Sequence, residues 1–294
     1  MRPLDCSSPK PGETDDSRKP VHLTLLVDNK AGTGLEPEHG LSIWIQALGR
    51  HVLFDTGQGP ALAGNASRLK KDLSHTQSLI LSHGHYDHGG GIAMALASAP
   101  EAEIYLHPEA LVPKYSLHPS RPPRYVGLPK SALAPLESLP PGRIIRVEQP
   151  VKLNPCSGLT GPIPRRTSFE DTGGPFFLDE AGHARDWIRD DLAMWIHTSR
   201  GLVVLMGCAH AGVINTLWYV LNITGEHKLH AVIGGMHLAG AQSPRLEKTL
   251  EALGELGPEL IVPCHCTGER AVKMLKKRLP GKVMEGFSGL VLEF

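Results

Sequence analysis

Residues 79–91 read LILSHGHYDHGGG, and this stretch places four potential metal ligands within six positions. Its apolar start predicts a buried strand over residues 78–82. A loop that leaves a strand can direct successive side chains toward one point, and imidazole and carboxylate groups suit zinc, iron or manganese. The glycines that follow let backbone, metal and substrate approach closely. The pattern therefore favours a metal site over a histidine-rich polar turn.

Strand and helix patterns alternate on both sides of this stretch. Strands are predicted at 21–28, 41–48, 51–55, 78–82, 103–107, 191–198, 201–207, 230–235 and 259–265, with an edge strand at the C-terminus. Helices are predicted at 60–73 and at 210–222. A third helix is predicted to begin after an N-cap at Ser243, and a fourth to carry Val272 and Leu275 on its apolar face. Such alternation predicts an α/β protein with sheets covered by helices.

Three regions differ in composition. Residues 1–20 are polar and rich in Pro, Ser and charge, so we expect a flexible tail. Residues 21–294 are expected to form a single domain with a Pro/Arg-rich insertion at about 108–190, which holds 14 of the 25 prolines. A long irregular segment inside a compact domain is usually functional. We therefore expect the insertion to cover an active site.

Composition excludes several classes of protein. The 30 Lys and Arg balance 30 Asp and Glu, which gives no reason to expect nucleic acid or an anionic membrane as a partner. The N-terminus lacks the apolar core of a signal peptide, and no apolar run is long enough to cross a bilayer. Five irregularly spaced cysteines argue against a disulfide framework and favour a reducing compartment. We expect a cytoplasmic protein, and nothing indicates its oligomeric state.

The HGHYDH motif resembles the signature of the metallo-β-lactamase superfamily, and other segments agree in order and spacing. FDTG supplies Asp55 at a strand end, LMGCAHAG supplies His210, and IVPCHC supplies His265. The resemblance spans roughly residues 21–294. It implies a four-layer αββα sandwich with metals at the edge of two facing sheets.

The resemblance also implies two sets of three ligands, which are His83, His85 and His210 for the first metal and Asp87, His88 and His265 for the second. Three protein ligands per ion leave open positions, as in catalytic sites. Asp55 would orient a ligand histidine through its ring N–H, or would cap a tight turn, as Asp often does. The implied cofactor is one or two divalent ions, zinc in the first place, with iron, manganese or magnesium as alternatives.

One departure concerns the acid that usually bridges both metals in this superfamily. No Asp follows Asp191, and the matching strand ends in VIGGMHL, which places His237 where the acid is expected. A neutral imidazole lacks the bridging charge, so the second metal would bind weakly, be absent, or share only a solvent hydroxide. His237 itself would be a ligand, a substrate contact, an acid/base group or a structural histidine.

A narrower resemblance rests on GCAHAGVINT, IGGMHL and PCHCTG. These segments are similar to proteins related to the archaeal dihydropterin ribofuranosyl-aminobenzene phosphate synthase, many of which are described only as metal-dependent hydrolases. The synthase joins a pterin to an aminobenzene ribose phosphate and releases pyrophosphate, which implies a transferase. A shared site does not establish a shared substrate.

Four functions therefore remain open. In metal-assisted hydrolysis, Asp87 would position or deprotonate water and His237 would protonate the leaving group of a small substrate, with or without a phosphate group. The alternatives are pterin-type C–N bond formation, a non-catalytic metal or ligand sensor, and iron-based redox chemistry. Asp191, Arg165 and Arg166 are candidate substrate contacts, and guanidinium groups suit phosphate. Further arginines of the insertion are Arg121, Arg124, Arg143 and Arg146. Cys264 and Cys266 are predicted to be small buried thiols that point away from His265.

Overall fold

The computed structural model describes residues 20–47 and 49–294. In chain order, its strands are β1 (His22–Val27), β2 (Ser42–Ala47), β3 (Arg50–Phe54), β4 (Ser78–Ile80), β5 (Glu103–Leu106), β6 (Tyr115–Ser116), β7 (Arg124–Tyr125), β8 (Ile144–Arg146), β9 (Val151–Asn154), β10 (Ser157–Leu159), β11 (Phe176–Phe177), β12 (Ala193–Thr198), β13 (Gly201–Met206), β14 (Leu229–Gly235), β15 (Leu260–Cys264) and β16 (Val291–Glu293). The predicted flexible tail lies, apart from Pro20, outside the described residues.

Two large mixed sheets carry the fold. The first has seven strands in the order β16-β1-β2-β3-β4-β5-β8, and the second has six in the order β15-β14-β13-β12-β10-β9. Within the first sheet β3, β4, β5 and β8 run parallel, and within the second β13, β14 and β15 run parallel. Side chains that follow parallel strands leave from the same edge of a sheet, which is where ligands bind in open α/β folds.

The helices are α1 (Pro60–Arg68), α2 (Tyr86–Gly89), α3 (Ile92–Ser98), α4 (Lys130–Glu137), α5 (Val213–Thr224), α6 (Ser243–Leu256) and α7 (Glu269–Arg278). Short 3-10 turns lie at Leu73–His75, Pro108–Leu111 and His265–Thr267. In the described part of the chain, no helix combines the length and apolar character needed to cross a membrane.

Three apolar clusters separate four layers. One cluster lies between the sheets and includes Leu25, Ile43, Met194 and Leu205. A second lies between the six-stranded sheet and helices α5, α6 and α7, and a third lies between the seven-stranded sheet and helices α1, α3 and α4. Burial of apolar surface on both faces of each sheet is the main stabilising term. The predicted four-layer αββα sandwich is confirmed.

Several helix boundaries differ from the sequence prediction. The helix predicted over 60–73 ends at Arg68, because Lys70 adopts a left-handed backbone with φ 56°. The helix predicted from 210 begins at Val213, after Gly212 with φ 105°. Ser243 lies inside the first turn of α6, and Gln242 is the N-cap. Each difference comes from a turn at the end of an element, where periodicity carries little information.

The Pro/Arg-rich segment contributes to all three sheets. Strand β8 extends the first sheet, β9 and β10 extend the second, and β6, β7 and β11 form a small third sheet. A buried ion cluster within this segment connects it to the HGHYDH loop. Lys114 Nζ donates to Asp186 Oδ2 at 2.8 Å and to Asp190 Oδ1 at 2.9 Å, with the lysine side chain fully buried. The second oxygen of Asp190 accepts the Gly84 N–H at 2.6 Å, which connects the cluster to the HGHYDH loop.

Lys114→Met is expected to lower the free energy of unfolding by roughly 3–5 kcal/mol, because removing one partner leaves two buried carboxylates without a counter-charge. Urea denaturation followed by circular dichroism measures this change. Lys130→Met, at the exposed start of α4, is the matched control and should change stability little. A loss below about 1 kcal/mol for Lys114→Met would show that the buried cluster does not anchor the segment.

Candidate metal centre

The HGHYDH loop carries four of the predicted ligands into one buried site. It follows β4, and α2 begins inside it at Tyr86. His83 and His88 are fully buried, and His85 and Asp87 are nearly so. Its start is fixed from both sides, since Gly84 N–H binds Asp190 and Tyr86 N–H donates to the Val126 carbonyl. The loop is therefore held rigidly at the end of the parallel strands.

The first predicted ligand set is brought together. Ligand nitrogens of His83, His85 and His210 lie within 4.8 Å of one another, and His83 Nε2 is 3.0 Å from His85 Nδ1. His210 Nε2 is buried and has no hydrogen-bond partner among residues 20–47 and 49–294. Burial lowers the pKa of His85 to about 3, so its lone pair is free for a metal. Because neutral imidazole nitrogens that converge on one point are the donor set a metal ion requires, the residues fit such an ion.

The second predicted set also converges, in a different grouping. Asp87 Oδ2 lies 3.3 Å from His265 Nε2 and 3.2 Å from His39 Nε2. His88 lies with His83 and Cys208 instead, although its ring is only 5.1 Å from the ring of His265. Burial acts to raise the pKa of Asp87, but hydrogen bonds from His265 and His39 hold that pKa well below its usual range. Asp87 is therefore an anionic oxygen at the centre.

Hydrogen bonds from outside the cluster orient its imidazole rings. His88 Nδ1 donates to Asp55 Oδ2 at 2.6 Å, and Asp55 also accepts from the Ser82 backbone and hydroxyl at 2.7 Å each. The Ser82 oxygen in turn accepts from His83 Nδ1 at 2.9 Å. These bonds leave Nε2 of both rings directed inward, as metal ligation requires.

The other two ligand rings are oriented from different parts of the chain. His210 Nδ1 donates to the Thr172 carbonyl at 2.7 Å, and His265 Nδ1 donates to Asn29 Oδ1 at 2.8 Å. Thr172 belongs to the Pro/Arg-rich segment, so this segment takes part in building the centre. Neither partner is adjacent to its histidine in sequence.

His237 also reaches the site. It lies just after β14 with φ 45°, and its ring centroid is 4.3 Å from that of His210. The ring lies against Gly173, where an added Cβ would be only 1.9 Å from His237 Cδ2. Gly173 therefore provides the space that the histidine occupies.

Sequence reasoning missed three side chains at the centre, which are His39, Cys208 and Cys266. The prediction that Cys266 points away from His265 assumed an extended chain, and it is wrong because residues 265–267 form a 3-10 turn. Cys266 Sγ lies 3.3 Å from Cys208 Sγ beside the ligands. Cys264 is buried, and its thiol donates a hydrogen bond to the Val262 carbonyl. A usable signal was present in the pattern Cys-x-His at 208–210 and His-Cys at 265–266, since both put thiols beside predicted ligands.

A pocket of about 230 Å³ opens onto the cluster. Its floor contains ligand side chains with His237 and both cysteines, and its walls contain Tyr86, Phe176, His118, Arg121 and Arg124. The two aromatic rings offer apolar surface, and the two arginines are exposed at the rim. The pocket thus joins a floor of candidate metal ligands to a cationic entrance.

The substrate contacts predicted from sequence have other partners. Arg165 donates to the carbonyls of His210 and Trp187 at 2.7 and 2.6 Å, and Arg166 lines a separate depression beside Trp218. Asp191 is buried and accepts the Ala211 N–H at 2.7 Å. Arg165 and Asp191 therefore support the loop of His210 from behind. The arginines at the pocket are Arg121 and Arg124.

Comparisons with known proteins agree with this geometry. A family model described as the metallo-beta-lactamase superfamily matches residues 35–265. A Methanocaldococcus jannaschii protein named 7,8-dihydropterin-6-methyl-4-(beta-D-ribofuranosyl)-aminobenzene-5'-phosphate synthase is 29% identical over 287 residues, which cover 93% of this chain and 97% of the relative.

Solved structures give the same result. Tm1679, described as a metal-dependent hydrolase of the beta-lactamase superfamily, is 34% identical with a TM-score of 0.80, and the match covers 93% of this chain and 99% of that one. The metallo-beta-lactamase fold protein YhfI from Bacillus subtilis is 15% identical with a TM-score of 0.55, covering 94% and 100% of the two chains, and shares the fold.

Asp55→Asn is expected to weaken metal binding by roughly 10–100-fold, because the amide cannot accept from His88 as an anion does. Asn tolerates the left-handed backbone of this position, which has φ 58°. Titration calorimetry with zinc, together with thermal unfolding of the metal-free protein, measures the effect. Asp72→Asn, at an exposed turn, is the control, and equal affinities for the two variants would contradict a role for Asp55 in orienting the ligand.

Proposed function

The chain belongs to the metallo-β-lactamase superfamily, and from this premise we propose that it is a metal-dependent enzyme acting on a small molecule that bears phosphate or pyrophosphate. The observation that carries the proposal is the pocket itself, where a convergent set of imidazole, carboxylate and thiol groups forms the floor and Arg121 and Arg124 stand at the rim. Guanidinium groups bind phosphate oxygens through paired hydrogen bonds.

The proposed ion is zinc, one or two per chain, because mixed His, Cys and Asp donors suit this metal. When bound, such a metal polarises a phosphoryl oxygen and lowers the pKa of water toward about 7. His83, His85 and His210 would hold the first ion, and Asp87, His88 and His265 a second.

Asp87 and His237 are the proposed catalytic residues. Asp87 Oδ2 is held between His39 and His265, so its carboxylate can orient a nucleophile at the floor of the pocket. His237 lines the same pocket next to His210, where its ring can donate a proton to a leaving oxygen. Asp87 and His210 are themselves buried at the floor, which limits the access of bulk water to these groups.

A second reaction, pterin-type transfer, is favoured by the aromatic walls. Tyr86 and Phe176 lie on the pocket beside the rim arginines, an arrangement suited to a flat ring that carries a diphosphate. The Methanocaldococcus jannaschii relative is named for a dihydropterin product with an aminobenzene ribose phosphate. In such a transfer, an arylamine nitrogen would bond to the pterin methylene carbon, the carbon–oxygen bond to pyrophosphate would break with its electron pair on oxygen, and the amine would lose a proton.

An assay with and without an acceptor distinguishes the two reactions. The zinc-loaded protein is incubated with a dihydropterin methyl diphosphate, alone or with an aminobenzene ribose phosphate, and released phosphate and pyrophosphate are measured. Hydrolysis releases product without acceptor, whereas transfer requires the acceptor and yields the coupled product. No release in either case at saturating metal, with this substrate and a panel of phosphate esters, would sink the proposal.

His85→Ala is expected to abolish turnover of the substrate identified in this way, because it removes a metal ligand from the floor of the pocket. Circular dichroism and thermal unfolding should show the fold intact. His75→Ala, at an exposed position on the surface, is the matched control and should retain full turnover. Unchanged turnover in His85→Ala would refute this site.

Replacement of both rim arginines, Arg121→Gln with Arg124→Gln, is expected to raise KM for the phosphorylated substrate about tenfold with a smaller change in kcat. The reason is the loss of charge-assisted hydrogen bonds, each worth about 1.5–3 kcal/mol when shielded and less at an exposed rim. Steady-state kinetics measures the split, with Arg68→Gln on α1 as control. An unaltered KM would place the phosphate elsewhere.

A further inference from the structure

Members of this superfamily usually have an aspartate that bridges two metals, and the described part of this chain has no carboxylate at that position. The sequence contains no Asp after Asp191, and the strand that should supply the acid, β14, ends in two glycines followed by Met236 and His237. Two ligand sets that share no anion would hold two divalent charges close together with little to offset their repulsion. A different anionic group must occupy this position if both sets bind metal.

Cys208 lies between the two ligand sets. It follows β13 in the loop that leads to His210, and it is 2% exposed. Its sulfur belongs to three groups of potential ligands, and within each group the ligand atoms lie within 4.8 Å of one another. The groups are formed with His83 and His88, with His210 and His237, and with His265 and Cys266. His83 and His210 are ligands of the first set, and His88 and His265 of the second. The Cys208 sulfur therefore contacts or approaches both.

The distances suit a shared ion. Zinc–sulfur bonds of about 2.3 Å and zinc–nitrogen bonds of about 2.0 Å in tetrahedral geometry place neighbouring ligand atoms roughly 3.5 Å apart. Cys208 Sγ lies 3.1 Å from His88 Nε2, which is close to this separation. His88 Nδ1 donates to Asp55, so Nε2 is the ring nitrogen that faces the sulfur. In the metal-free protein this contact is a hydrogen bond, and a metal ion would take the place of its proton.

The end of β14 lies close to both cysteines. An added Cβ at Gly235 would lie 2.7 Å from Cys266 Sγ and 3.3 Å from Cys208 Cα. A larger residue there would push the cysteine loop away from the ligands. Gly235 thus lets the Cys266 sulfur and the Cys208 backbone pack closely against the end of β14.

We propose that Cys208 is a metal ligand whose thiolate is shared by the two ligand sets, in place of the missing bridging carboxylate. The inference rests on the proposed metal centre and specifies its donor set. A thiolate carries the same single negative charge as a carboxylate and has several lone pairs on one atom, so it can bind two ions. It makes the centre a mixed His, Cys and Asp site and selects for zinc or iron over magnesium.

Cobalt substitution tests this proposal without a substrate. The full chain, with its thiols kept reduced by a phosphine, is titrated with Co²⁺ under exclusion of oxygen. Visible ligand-field absorption reports that cobalt is bound, and near-ultraviolet thiolate-to-cobalt charge transfer reports that sulfur is a ligand. In the unmodified protein both signals should rise together and saturate at two ions per chain.

Cys208→Ser should lose the charge-transfer band and bind the second ion more than roughly tenfold less tightly, as expected when a ligand is removed. Cys156→Ser, at a buried cysteine outside the ligand clusters, should keep both signals. Retention of the band in Cys208→Ser, or its loss only in Cys266→Ser, would overturn the proposal. Far-ultraviolet circular dichroism of each metal-free variant verifies folding.

X-ray absorption on the zinc protein gives an independent answer. A zinc–sulfur shell at about 2.3 Å that is lost in Cys208→Ser supports the proposal, and a shell of nitrogen and oxygen alone in the unmodified protein overturns it. The two levels of inference fail differently. Absence of any cobalt or zinc binding would refute the metal centre itself, whereas bound metal without sulfur would leave the proposed function standing and remove only the role of Cys208.

Discussion

Packing between the two sheets is the constraint on which the whole site depends. The apolar layer of Leu25, Ile43 and Leu205 holds the sheets face to face, so strands that run parallel in each sheet end at one common edge. The loops after β3, β4, β13, β14 and β15 then deliver Asp55, the HGHYDH loop, His210, His237 and His265 to one place. Each contributes one or a few polar groups, and the surrounding core supplies the energy that keeps them desolvated.

Backbone strain is concentrated at the same edge. Four residues there have positive φ values between 45° and 58°, and they are Asp55, Ala209, His237 and His265. Residues other than glycine seldom adopt this backbone conformation. Each lies within a few residues of a strand end. Strain of this kind persists where the surrounding structure over-determines it, and it clusters at functional sites. At this edge, the left-handed backbone turns these side chains toward the centre. A chain that left the strand in a regular extended conformation would direct them along the sheet.

The Pro/Arg-rich segment belongs to the site as much as the sandwich does. Its Thr172 carbonyl orients His210, its Lys114–Asp190 pair holds Gly84 in the HGHYDH loop, and its Phe176, Arg121 and Arg124 form the pocket wall. The sandwich thus supplies the predicted ligands at the floor of the pocket, while this segment supplies most of its wall. Substrate choice should be determined by the segment, since loops on a rigid scaffold carry specificity.

The sequence by itself predicted an α/β protein with sheets covered by helices, because strand and helix periodicity are local signals. The four-layer sandwich and the two predicted sets of three ligands came from the family resemblance that the HGHYDH, FDTG, GCAH and PCHC segments carry. Only the tertiary structure decided which other side chains lie beside the predicted ligands and line the pocket. It placed Cys208 between the two sets, brought His39 to Asp87, and put Arg121 and Arg124 rather than Arg165 and Arg166 at the pocket. These outcomes depend on turn geometry and on contacts between residues far apart in the chain, and neither leaves a periodic trace in the sequence.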